Sequence, residues 1–296
     1  MPFKRKHISY LTQFALSSLI TIACSLLVSG CFMESYWTSE KYDTLFGSGS
    51  PIDSRARFED ITLPDTPPKS YSVMILSDMH IGQERDADDF IAYLQEYVKA
   101  HEKPLFCANL GDLNGNGSHD QNATYLKVQK RIEDMGIPVY CVPGNHDTFD
   151  GGNHGEYYIQ DISHTSFFRI KIHGTSYYFL DTADGTLGYK QFSTLKKEMR
   201  TDQNRKIMLT HYPLYCNNFT LELANTYERA QLMALYAEEN VAYAICGHTH
   251  KYFEFDFGAF YEVIVSAICE AKGKRNFIIL TVDEQTHTYL HHAQQF

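Results

Sequence analysis

"VAYAICGHTH" spans residues 241–250. An apolar run stops at Gly247, and two histidines follow with one threonine between them. A run of this length and β-rich composition reads as a strand buried on both faces. A buried strand that stops on paired imidazoles delivers two nitrogen donors to one point on a sheet edge. Four runs upstream end in the same manner. "YSVMILS" (71–77) is followed by Asp78-Met79-His80, and "PLFCANL" (104–110) by Gly111-Asp112. "IPVYCVPG" (137–144) is followed by Asn145-His146-Asp147, and "KIMLT" (206–210) by His211.

Helical patterns separate these runs. In "DADDFIAYLQEYVKAH" (86–101), Phe90, Ile91, Leu94, Tyr97 and Val98 recur at helical spacing behind acidic residues suited to a helix start. "QNATYLKVQKRIEDMG", "YKQFSTLKKEMRT" and "TYERAQLMALYAEEN" read as further helices. Strands alternating with helices imply βαβ units and parallel pairing. "SFFRIKIHGTSYYFLDT" (166–182) instead predicts a hairpin about His173-Gly174. After His250 come four β-rich runs with no helix between them, so an antiparallel or mixed sheet is expected there. Ligands of open α/β sheets bind beyond the carboxyl ends of the strands, and parallel pairing predicts all five endings at one edge.

The side chains delivered there are carboxylate, imidazole and amide, a set suited to manganese, iron or zinc. Asp78, His80, Asp112, Asn145, His211, His248 and His250 make seven candidates. Seven is too many for one tetrahedral zinc and right for two divalent metal ions sharing a carboxylate. Gly111, Gly144 and Gly247 each stand just before a candidate ligand, where glycine permits close backbone approach.

The ordered words "DMH", "GD", "GNHD", "LTHYPL" and "GHTH" resemble the motifs of the calcineurin-like metallophosphoesterase family, from about Ser72 to His250. The resemblance implies a two-sheet α/β/β/α sandwich with mixed sheets and helices on the outer faces. It implies that Asp78, His80 and His250 hold a first metal, that Asn145, His211 and His248 hold a second, and that Asp112 bridges them. It makes His146 the catalytic histidine, with Asp147 orienting it. It also implies phosphoester hydrolysis by a hydroxide bridging the two cations. "GDLNGNG" (111–117) lacks the acid-arginine pair of the serine/threonine protein phosphatases, so a small phosphomonoester or phosphodiester substrate is expected. His154, soon after the third motif, and Tyr212, beside His211, are candidate substrate contacts. Two other readings stay open: a phosphodiesterase acting on phospholipid or cell-envelope diesters, and a non-catalytic surface lipoprotein that binds metal or a partner.

The N-terminus supports export. "KRKH" (4–7) is a basic segment and "ALSSLITIACSLLV" (15–28) an apolar one too short to span a membrane comfortably. "VSGC" (28–31) then resembles a bacterial lipoprotein signal, with Cys31 the lipidated residue. The expected organisation is a signal at 1–30, a membrane tether at 31–70 that packs in part on the domain, and one metallophosphoesterase domain at 71–296. Phe32, rather than aspartate, follows the cysteine, which resembles the outer-membrane or cell-surface class of the bacterial envelope. The formal net charge of −10 loses Lys4, Arg5 and Lys6 with the signal and becomes −13. So acidic a chain offers no nucleic-acid binding surface. Cys107, Cys141 and Cys246 lie in apolar runs and read as small core residues.

Overall fold

The computed structural model describes residues 52, 55–82, 87–148 and 154–296. The signal, most of the tether and Cys31 lie outside the described residues.

Two sheets form the centre. The smaller has the order β12-β11-β2-β3-β4, with β2 at Ser70–Leu76, β3 at Cys107–Asn109, β4 at Val139–Cys141, β11 at Asn276–Asp283 and β12 at Thr288–Gln295. The larger has the order β1-β5-β6-β7-β8-β10-β9. Its strands are β1 (Glu59–Ile61), β5 (Phe168–Ile172), β6 (Thr175–Phe179), β7 (Arg205–Leu209), β8 (Val241–Cys246), β9 (Phe253–Asp256) and β10 (Tyr261–Ile264).

Side-chain alternation builds the layers. On β2, Val73 and Ile75 face the other sheet and join Phe106, Phe179, Ile207 and Ile245 in a core between the sheets. Met74 and Leu76 point to the opposite side. There they pack on Phe90 and Leu94 of α1 (Asp88–Ala100) and on Tyr125 and Ile132 of α2 (His119–Glu133). The larger sheet turns Tyr178, Met208 and Ala244 outward to Leu195 of α5 (Tyr189–Thr201) and Leu232 of α6 (Thr226–Glu238). Both faces of the central strands are therefore covered, which is why those strands read as unbroken apolar runs. The result is the expected α/β/β/α order. Ser118 caps α2 by accepting from the Gln121 N–H, and Asn225 caps α6 by accepting from the Tyr227 and Glu228 N–H groups.

The structure refines the sequence expectation at several places. The five strand endings do not share one sheet edge: β2, β3 and β4 are parallel in the smaller sheet, while β7 and β8 are parallel in the larger. Their carboxyl ends meet across the sandwich. The four late strands likewise divide, β9 and β10 joining the larger sheet and β11 and β12 the smaller. The tether stretch, expected to pack in part on the domain, contributes a strand to the larger sheet. β1 pairs in parallel with β5, and Ile52 and Arg55 are buried. Arg55 Nε donates to Asp181 Oδ2 at 2.6 Å, and its Nη2 lies 3.0 Å from Asp184 Oδ2. A three-residue strand, "EDI", carries too little pattern to announce itself. Short helices α3 (Asn145–Thr148) and α4 (His154–Asp161) were also not anticipated.

Candidate metal centre

The chain turns sharply where the strands stop. Asp78, His80, Asp112, His248 and His250 all adopt left-handed backbone conformations, with φ between 47° and 68°. For a residue with a side chain this costs about 1–2 kcal/mol each, and such strain gathers at functional sites. Asp and His are among the side chains that tolerate it best. Each turn halts the strand alternation and leaves a donor side chain at the sandwich edge.

Glycines let the turns from the two sheets approach. A Cβ on Gly247 would stand 1.9 Å from Ser77 Oγ and 2.6 Å from Asp78 Oδ2. One on Gly144 would stand 2.3 Å from the Asp112 N and Oδ1 atoms and 2.8 Å from His211 Cε1. No side chain fits at either place.

The seven predicted ligands converge. Asp78, His80, Asp112 and His250 form one group of donors within 4.8 Å of one another, and Asp112, His211 and His248 form a second. Asp112 belongs to both: its Oδ2 lies 3.5 Å from His80 Nε2 and 3.4 Å from His211 Nε2. Within the first group, His80 Nε2 and His250 Nε2 are 3.2 Å apart. In the second, His211 Nε2 stands 3.2 Å from His248 Nδ1 and 3.1 Å from Asn145 Oδ1. His248 thus presents its δ nitrogen and its neighbours their ε nitrogens. The His211 ring is set by its Nδ1, 2.8 Å from the Leu110 carbonyl, and Asp112 by the His146 N–H, which donates to Oδ1 at 2.8 Å.

The donor set fits two divalent cations. Asp78 Oδ1 and His80 Nδ1 are buried without a hydrogen-bond partner. Oδ1 lies 3.4 Å from His250 Nε2, outside hydrogen-bonding geometry. A buried carboxylate oxygen left this way costs about 1–3 kcal/mol or more, and a cation satisfies it. The charge balance among these groups points the same way. Burial opposes charge on His211, yet the Asp112 carboxylate outweighs it and pushes this imidazole up to about 9. The nearby Asp78 carboxylate and Cys269 push His250 up as well. Burial pushes His80 and His248 down to about 4, which keeps them neutral and able to donate a lone pair.

The His146 ring lies edge-on to His80, centroids 4.7 Å apart, at the mouth of the first group. Its Nδ1 is 2.9 Å from the Gly115 carbonyl. The Asp147 carboxylate accepts instead from the backbone N–H groups of Leu113, Asn114 and Gly144, at 2.8–3.3 Å. A backbone carbonyl therefore holds this face of the His146 ring, and Asp147 fastens the two loops that carry Asp112 and His146. Burial and the nearby Asp112 charge push the Asp147 carboxyl up, against the pull of those N–H donors. Tyr212 lies against His248, ring centroids 3.9 Å apart, so it lines the second group. His154 begins α4, but its side chain lies outside the described residues.

Two residues at the site went unassigned in the sequence. The Cys269 sulfur lies within 4.8 Å of donor nitrogens of His80 and His250. Glu270 Oε1 is 3.4 Å from His250 Nδ1. The signal was present: "FYEVIVSAI" (260–268) is a sixth apolar run that ends on polar donors.

A shared carboxylate between two donor groups, at the meeting edges of a two-sheet sandwich, defines a dimetal hydrolase framework. Residues 71–252 match the family model of the calcineurin-like phosphoesterases, and the chain belongs to that family of phosphoester hydrolases. It is 30% identical over 186 residues to a "Probable cyclic nucleotide phosphodiesterase" of Fibrobacter succinogenes, covering 60% of this chain and 71% of the relative. It is 26% identical over 168 residues to a "Probable glycerophosphodiester phosphodiesterase" of Arcobacter nitrofigilis, covering 50% of this chain and 58% of the relative. Among solved structures, a dimetal phosphatase from Danio rerio shares the fold at a TM-score of 0.56 and 12% identity, over 71% of this chain and 95% of that one. A purple acid phosphatase from yellow lupin seeds does so at 0.58 and 15% identity, over 76% of this chain and 51% of that one.

Proposed function

We propose that this protein hydrolyses small phosphodiesters at a two-cation site. The observation that carries the reading is Asp112, whose carboxylate is common to two adjacent groups of donors. Asp78, His80 and His250 would hold one cation, Asn145, His211 and His248 the other, and Asp112 both. Such a pair, when bound, lowers the pKa of a water toward neutrality and offsets phosphate charge. The preference for diesters draws on the two phosphodiesterase relatives above, and the missing acid-arginine pair after Asp112 argues only for a small substrate over a phosphoprotein.

The remaining work falls to the protein's own groups. Nδ1 of His146 faces the Gly115 carbonyl, and the proton exchange is assigned to its Nε2. In its protonated form it donates that proton to the leaving alkoxide and interacts with the phosphoryl oxygens. The His146 N–H holds Asp112 in place at the same time. No serine or threonine nucleophile is required.

The test is hydrolysis of bis(4-nitrophenyl) phosphate and of the corresponding monoester by purified protein with manganese or zinc, and again after chelation. Diester turnover that chelator removes and metal restores supports the reading. No turnover with any of the metals, or turnover indifferent to chelator, overturns it. Cyclic nucleotides and glycerophosphodiesters then sort the substrate.

We also propose export as a lipoprotein, from the basic, apolar and small-residue segments that precede Cys31. An anchor would set the site on phospholipid or cell-envelope diesters. Mass spectrometry of the mature N-terminus tests this; any first residue other than a lipid-modified Cys31 rules it out.

A further inference from the structure

The chain after β10 crosses from the larger sheet to the end of β2 in the smaller. Val265 N–H donates to the Cys246 carbonyl at 2.8 Å, still on the line of β8. Ile268 and Cys269 N–H then donate to the carbonyls of Ser77 and Asp78, each at 3.1 Å. These bonds pin the Cys269 backbone to that of Asp78. The sulfur comes to rest with the donor nitrogens of His80 and His250, all mutually within 4.8 Å. Zinc-type cations bind sulfur at about 2.3 Å and imidazole nitrogen at about 2.0–2.1 Å, so donors around one ion stand within that spread.

Two independent observations point to a ligand at this place. Asp78 is wholly buried, and its Oδ1 has no hydrogen-bond partner while facing the same two histidines. Glu270, the next residue, sits 3.4 Å from His250 Nδ1, on the far side of the ring from the Nε2 that meets His80. A carboxylate behind an imidazole fixes the tautomer that leaves Nε2 unprotonated for a metal. A cavity of about 420 Å³ lies beside this place, lined by Met79, Phe90, Cys269, Glu270 and Arg275 among others.

Resting on the dimetal reading above, we infer that Cys269 is a thiolate ligand of the first cation, with Glu270 positioning His250 behind it. Binding would release the thiol proton to solvent and form the metal–sulfur bond. A thiolate is a soft donor, so this site favours zinc, iron or cobalt over manganese and magnesium, which prefer oxygen. The oxygen- and nitrogen-only second site has no such bias.

The experiment is a cobalt(II) titration of the chelator-stripped full chain under a phosphine reductant, followed by absorption spectroscopy. Weak visible bands report cobalt held by any of the donors. An intense near-ultraviolet sulfur-to-cobalt band reports the thiolate. The wild type is expected to show both, and Cys269→Ser and Cys269→Ala to keep the visible bands and lose the near-ultraviolet one. Cys269→Ser should also lose at least about tenfold in zinc affinity at one site, with manganese affinity nearly unchanged. Far-ultraviolet circular dichroism checks that both variants are folded. Visible bands without the sulfur band in the wild type, or a sulfur band that survives in both variants, overturn the thiolate assignment and leave the dimetal reading standing. No cobalt bands at all would overturn both.

Discussion

The backbone N–H of His248 donates to Asp78 Oδ2 at 3.0 Å. The two residues are 170 positions apart and end strands in different sheets. This bond ties the edges of the sandwich at the place where the donor groups meet. It holds only because Gly247 has no side chain.

Gly247→Ala should therefore force the edges apart. Its Cβ would overlap Ser77 Oγ, and Asp78 would lose its register with His248. We expect a loss of about 1–3 kcal/mol in stability, in line with overpacking elsewhere. Cation affinity should also fall. Thermal unfolding with and without zinc measures both. A variant as stable as wild type with unchanged zinc protection would contradict this account of the edge.

Asp112→Asn and His146→Ala should separate binding from catalysis. Asp112 serves both donor groups, so its amide variant should lose turnover and retain fewer than two metal ions per chain. His146 touches Asp112 through its backbone N–H, which alanine keeps. We expect a drop in turnover of about 10²–10⁴-fold, the usual weight of a general acid, with metal content intact. Elemental analysis decides: metal loss in His146→Ala would make the histidine a ligand.

Arg55→Ala should destabilise the protein by about 3–5 kcal/mol, because it strands buried Asp181 and its neighbour Asp184 without their cation. Asp184 also accepts from Thr148, next to the third motif. Chemical denaturation gives the number. A loss under 1 kcal/mol would return residues before β1 to the role of a simple tether.

Glu262 should give the apoprotein a pH dependence of its own. It is buried on β10 and accepts from the Leu214 and Tyr215 N–H groups at 2.6 and 3.0 Å, which secures the loop after His211. Burial pushes its carboxyl from 4.5 up to about 8. The folded chain then holds this proton more tightly than the unfolded chain, so stability falls as pH rises from about 4.5 to about 8. Glu262→Gln carries no proton to lose and should flatten that part of the profile. Unfolding measured across this range, in chelator, compares the two. Parallel profiles would mean that Glu262 is ionised in the fold throughout.

Several features were legible because they are local. The helix at 189–201 and the hairpin at His173-Gly174 follow from spacing and turn chemistry, and the structure has both. The polar words after apolar runs picked out the seven donors that the structure brings together. β1 was not legible, because three residues have no period to detect. Cys269 was left without a role, because a single cysteine outside any C-x-x-C spacing announces no site in the sequence alone.

By itself, the sequence determined which residues carry donors and that each stands just past a buried strand, since burial and turn preference act over a few residues. Tertiary structure alone decided that those strands belong to two sheets. It also decided that Asp112 lies between the two donor groups, that a carbonyl rather than Asp147 meets Nδ1 of His146, and that Cys269 stands with His80 and His250. Such relationships depend on how sheets pack through their shared core and on backbone bonds between distant turns. No local pattern encodes a distance across that core.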